Sequence, residues 1–167
     1  MSVKPAGIIL GVGLFGALVA AQQPAATPAP PAANPNVDFH FRYLNGLDPA
    51  QGWRRTPSGL RYRKVSGRAA GPRPTVADTV TIHYVGTFID GNTFDSSVAR
   101  GEPATFPLGR LIRGWQEGVP MMAVGDRYEF AIPYTLAYGS NGRGEIPGGA
   151  TLLFTIDLIG IAPPGAE

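Results

Sequence analysis

Cysteine is absent from the 167 residues. Its absence excludes disulfides, thiolate metal sites, a cysteine nucleophile and cysteine-borne lipid anchors. Histidine is nearly as scarce. His40 and His83 are the only two, too few and too far apart to supply the three or four ligands of a zinc site. No serine stands in a nucleophile-elbow pattern, which leaves a Ser-His-acid hydrolase without a frame. Gly142-Arg143-Gly144 has neither the downstream Lys-Ser/Thr nor the strand-to-helix setting of a phosphate cradle. Charge is balanced as well as sparse: 14 basic and 12 acidic residues leave a formal +2. That gives no electrostatic case for nucleic acid.

What the chain has in excess is 23 glycines and 17 prolines. Part of the excess sits in one N-terminal tract, and the rest punctuates turns, which favours a strand-rich fold. Lys4 followed by the uncharged run Ala6 to Ala21 reads as a signal peptide, residues 1–21, with cleavage after Ala21. The run holds four glycines and is shorter than the ~20 residues of a spanning helix, so an inner-membrane anchor through residues 6–21 is the alternative. Export is expected on either reading, to the periplasm or beyond once the segment is cleaved. Residues 22–36 are an Ala/Pro-rich linker that cannot bury apolar surface and should be extended. Residues 37–55 carry Phe39, Phe41, Tyr43, Leu44 and Leu47, enough to pack as a short extension on the main body.

From residue 56 the pattern is strands and tight turns. Arg61 to Val65 alternate as a half-polar strand near an edge. Val80, Ile82 and Tyr84 share one face of a strand, and Asp90-Gly91-Asn92 turns it into Thr93-Phe94-Asp95. Tyr128, Phe130 and Ile132 share a face of another strand. The last, Ala150 to Ile161, is apolar on both faces and should be central. Between strands lies Arg113-Gly114-Trp115-Gln116-Glu117-Gly118, a helix of about two turns, with glycines four apart and Pro120 just beyond. Amides near Leu111 and Ile112, at its start, are free to meet a ligand lying over Trp115. Trp115 reads equally as the largest core side chain. Tyr84, Phe94, Phe106, Trp115, Tyr138 and Phe154 with few polar groups suit an uncharged, ring-shaped guest.

Four stretches carry a resemblance: His83-Tyr84-Val85-Gly86 with Phe94-Asp95-Ser96-Ser97, Ile112-Arg113-Gly114-Trp115, Ala137-Tyr138-Gly139, and Ala150-Thr151-Leu152-Leu153-Phe154. In this order and spacing the segment from Thr56 to Ile161 resembles the FKBP-type peptidyl-prolyl cis/trans isomerases, in an exported bacterial form. The resemblance implies an α+β fold over residues 56–162, an antiparallel sheet wrapped around one short helix. It implies a substrate pocket of Tyr84, Phe94, Leu111, Ile112, Trp115, Tyr138, Ile146 and Phe154, with Tyr138, Asp95 and the Ile112 backbone amide in the catalytic roles. Asp95 is expected to fix its neighbours rather than act as a base, its alternative being a turn-stabilising carboxylate. The partners implied are proline-containing peptides, unfolded exported proteins and macrolide inhibitors, with no nucleic acid, metal or cofactor. The short 37–55 extension points to a monomer. Two other functions remain open at this point: a non-catalytic, chaperone-like module that binds proline-containing segments, and a small-ligand carrier, which would need the cavity that the helix fills.

Overall fold

The strands pair where their alternation places an apolar face. The structure, a computed structural model, describes residues 35–67 and 70–162. The residues expected to form a signal peptide, and nearly all of those expected to form a linker, lie outside these residues. Seven strands form one antiparallel sheet: β1 (Arg54–Arg55), β2 (Arg61–Ser66), β3 (Thr79–Thr87), β4 (Thr93–Ser96), β5 (Ala104–Pro107), β6 (Arg127–Ile132) and β7 (Leu152–Ala162). Their order is β1-β2-β6-β7-β3-β4, with β5 also on β3. As expected from its two apolar faces, β7 is central, between β6 and β3.

One face of β3, β6 and β7 is buried throughout: Val80, Ile82, Tyr84, Phe130, Ile132, Leu152, Phe154, Ile156 and Leu158. Each such side chain contributes about 1.5–3 kcal/mol on leaving water. The layer that covers them is the short helix, with Leu108, Trp115, Val119 and Met122 inserted. This helix spans Arg113–Gly118 and runs into the 3-10 turn Val119–Met121. Gly114 and Gly118 face the sheet, where added Cβ atoms would overlap Ile132 and Phe130. The helix lies that close because it has no side chains there.

The outer edge of β3 is shared. Its first half pairs with β5, Ile82 opposite Ala104, and its second half with β4, Val85 opposite Ser96. At the gap sits a one-turn helix, Ser97–Arg100, capped by the Ser96 hydroxyl, which accepts from the Ala99 amide at 3.1 Å. The fully buried Ser97 hydroxyl accepts the Tyr84 amide at 2.7 Å and lies 3.1 Å from His83 Nδ1. His83 therefore faces away from Tyr84, as strand alternation requires.

The extension holds more structure than its few apolar residues announce. Residues Pro35–Gly46 form a twelve-residue helix, so helix begins at two positions read as linker. We number the helices α1 (Pro35–Gly46), α2 (Ser97–Arg100) and α3 (Arg113–Gly118). Proline suits the first turn of a helix, where its missing N–H is not needed. Leu44 is buried, while Phe39 and Phe41 stay exposed. Three hydrogen bonds pin α1. The nearly buried Arg61 donates from Nε to the Leu44 carbonyl at 3.1 Å and from Nη2 to Asn45 at 3.0 Å, placing a cation at the negative end of the helix. The Thr151 amide donates to His40 Nδ1 at 3.1 Å. Burial lowers the His40 pKa.

A buried carboxylate holds the turn before β6. Asp126 accepts the Ala123 amide at 3.0 Å and Lys64 Nζ at 2.7 Å. Burial pushes its pKa up, and the Lys64 and amide hydrogen bonds outweigh it, leaving the carboxyl below its ordinary range.

Candidate functional site

Where α3 meets the sheet a cavity of about 340 Å³ opens. Its apolar wall comes from strands, whose pleat aims alternate side chains inward: Tyr84 from β3, Phe94 from β4, Phe106 from β5 and Phe154 from β7. Trp115 is its floor, with only 5% of its surface exposed. The indole packs edge-on against Tyr84, centroids 5.3 Å apart at 79°, and against Phe154, 5.1 Å at 88°. Phe94 meets Phe154 at 5.6 Å and 88°. These T-shaped contacts hold each ring in place, so the cavity is formed before any guest arrives. At Gly86 an added Cβ would lie 2.7 Å from Phe94 and 2.8 Å from Phe154, so the glycine makes room for both rings.

Polar groups converge from three sides. The Tyr84 hydroxyl donates to Asp95 Oδ2 at 2.5 Å and accepts from Arg100 Nη2 at 3.0 Å, while Arg100 Nη1 donates to Asp95 Oδ1 at 2.5 Å. Burial pushes the Asp95 pKa up, but Tyr84 and Arg100 together hold it below the usual carboxylate range. Burial first, and then the bond to Asp95, raise the Tyr84 phenol. Both oxygens of Asp95 are thus engaged within the chain.

The second polar group is backbone. Ile112 is the residue before α3, in extended conformation, and its carbonyl accepts from Trp115 and Gln116. Its own amide has no partner among the described residues. The Leu111 amide donates instead to the Leu108 carbonyl at 3.2 Å. Gln116 fixes this turn by donating to the Leu111 carbonyl at 2.7 Å. The third is the Tyr138 phenol, half-buried and without a hydrogen bond among the described residues.

Of the residues expected at the site, Tyr84, Phe94, Asp95, Leu111, Ile112, Trp115, Tyr138 and Phe154 all line the cavity. Ile146 does not; it borders an adjoining shallow hollow with Phe94, Asp95, Tyr138, Arg143 and Glu145. The wall also includes Phe106, Arg110 and Arg143, with Arg100 behind it. Phe106 already stood among the aromatics read as a set. Arg100 had a signal in Ser96, a helix-capping residue that turns the following chain back toward Asp95. Among the described residues no group of three or more His, Cys, Asp or Glu is placed to hold a metal.

A family model described as FKBP-type peptidyl-prolyl cis-trans isomerase matches residues 71–159. The "FKBP-type peptidyl-prolyl cis-trans isomerase FkpA" of Aeromonas hydrophila is 47% identical over 125 residues, which is 75% of this chain and 46% of the relative. The "FKBP-type 22 kDa peptidyl-prolyl cis-trans isomerase" of Escherichia coli K12 is 45% identical over 121 residues, 72% of this chain and 58% of the relative. The crystal structure of FkpA from Escherichia coli superposes with a TM-score of 0.74 at 36% identity, covering 77% of this chain and 60% of that one. The chain spans about half the length of these curated relatives. The matched residues include β3 to β6, α3 and most of β7, and with them the whole cavity wall, so this chain belongs to the FKBP-type peptidyl-prolyl cis-trans isomerase family.

Proposed function

We propose that this chain catalyses cis/trans isomerisation of Xaa–Pro bonds in unfolded exported polypeptides. The observation that carries this reading is an aromatic cavity holding two unengaged donors, the Ile112 amide and the Tyr138 phenol, while its one carboxylate is clamped. Rotation about the imide faces ~18–20 kcal/mol because resonance stabilises the planar form. The Trp115 floor takes the prolyl ring out of water, and loss of water weakens the charge-separated planar imide. The Ile112 amide then holds the carbonyl as it twists, with Tyr138 as the second donor. Donors already in place favour the transition state over the ground state, and each 1.36 kcal/mol of that difference is tenfold in rate. No proton is transferred. Asp95 keeps Tyr84 and Arg100 in position. The same floor is offered to macrolide inhibitors, and the working unit is a monomer.

A protease-free isomerisation assay on Xaa–Pro peptides tests this reading. Catalysis is expected, and binding without turnover would leave a module that holds proline segments. The rate is expected to be flat between about pH 5.5 and 8.5. The depressed Asp95 pKa keeps that carboxylate charged above its ordinary value, so its contribution is lost only as pH falls through the acid range. The raised Tyr84 pKa keeps the phenol protonated well into alkali. Histidine is the side chain that ordinarily titrates between, and neither His40 nor His83 lines the cavity. A bell-shaped profile centred near neutrality would require a general acid and base, and desolvation would be abandoned.

Export rests on the Lys4 to Ala21 segment and the linker behind it. Mass spectrometry of the exported protein should find a chain beginning near Gln22. Full-length chain recovered only from membranes would establish the anchor instead.

A further inference from the structure

Two arginine side chains on the cavity wall are unengaged among the described residues. Arg110 ends the 3-10 turn Leu108–Arg110 just before α3, and Arg143 stands on the loop that also carries Tyr138. Both are exposed and both border the cavity. Neither guanidinium has an ion pair or hydrogen bond among the described residues, where the ion pairs are Arg63–Glu129, Lys64–Asp126, Arg100–Asp95 and Arg127–Asp157.

The other charges around the cavity do not cancel them. Asp95 is matched by Arg100. Glu145 borders the adjoining hollow with Arg143 but makes no ion pair with it. Two uncommitted guanidinium groups therefore face one uncommitted carboxylate. The aromatic floor cannot respond to charge, since the prolyl ring it receives has none; charge is read outside the ring, at the residues next to proline.

Resting on the isomerase reading of the same site, we infer that Arg110 and Arg143 select prolines that have an acidic neighbour. A carboxylate beside the proline meets guanidinium donors above an apolar wall, where water is partly excluded and a charge-assisted pair is stronger than in open solvent. A lysine at that place meets like charge.

The experiment compares full-chain turnover on peptides that place Glu, Ala or Lys before proline, and a second set that varies the residue after it. The Glu-to-Lys ratio of kcat/KM is expected to be roughly fivefold in at least one set at low salt, which is about 1 kcal/mol, the scale of an exposed ion pair. The ratio should shrink toward one in high salt. In an Arg110→Gln/Arg143→Gln double variant it should fall to about one, and in Arg110→Glu/Arg143→Glu it should invert. A ratio cancels any loss of activity common to all peptides. Turnover on every peptide with a ratio of one in both sets overturns this inference and leaves the isomerase reading standing. No turnover on any peptide overturns both.

Discussion

Trp115→Leu should fold and lose most of its turnover on Xaa–Pro peptides. The indole is the one ring that touches both Tyr84 and Phe154 edge-on, and no aliphatic side chain reproduces its flat face. Losing even ~1.4 kcal/mol of transition-state stabilisation lowers kcat/KM tenfold. The stability cost is smaller than the size of the residue implies. Trp115 Nε1 is buried with no hydrogen-bond partner among the described residues. Leaving a donor in that state costs about 1–3 kcal/mol, and leucine removes the donor with the ring. Against this stands a void worth a few kcal/mol. The two terms offset, so Trp115→Leu separates floor from core. Trp115→Ala, at about 3–5 kcal/mol, does not. Peptide turnover and a denaturation midpoint on the same sample decide it: a folded Trp115→Leu protein with full activity would make Trp115 a core residue and nothing more.

Gly118→Ala and Gly114→Ala should each destabilise the domain, although alanine is the better helix former by about 1 kcal/mol. The added Cβ at residue 118 would lie 2.5 Å from Phe130 Cε1, and the one at residue 114 would overlap Ile132 Cγ2 and lie 2.8 Å from its Cδ1. Phe130 and Ile132 are fixed between neighbours and nearly or wholly without exposure. They cannot yield cheaply, and overpacking a filled core costs about 1–3 kcal/mol. Crowding outweighs propensity, so each variant should lose roughly 1–2 kcal/mol. The double variant should lose more, since α3 must lift along its whole length. Urea denaturation reads this directly. A double variant as stable as the parent would mean that α3 does not sit at contact distance from β6.

Residues whose role is set by local pattern could be read in advance. Period-two alternation placed Val80, Ile82 and Tyr84 inward, and the two apolar faces of β7 marked it as central. Paired glycines around a tryptophan described a helix pressed on a sheet. What escaped was decided by distant partners. α1 buries Leu44 yet leaves Phe39 and Phe41 exposed, and Arg61 in β2 anchors its end. Ile146, which the resemblance assigns to the pocket, borders the hollow that adjoins the cavity and shares Phe94, Asp95, Tyr138 and Arg143 with it, where the bridge between Arg143 and Ile146 folds the loop.

That loop has a further consequence, for engineering. Its base is closed by the Gly149 amide on the Gly139 carbonyl at 3.0 Å, and its tip by reciprocal bonds between Arg143 and Ile146 at 2.9 and 3.0 Å. At Gly142 and Gly148 the chain crosses itself so closely that a side chain would strike backbone. Its shape is therefore written in main-chain atoms and glycines, and the side chains at 143 and 145 carry none of it. A library varied at those two positions alone would hold scaffold and chemistry constant while exchanging what borders the cavity, an interchangeable cassette from which isomerases of chosen preference could be drawn.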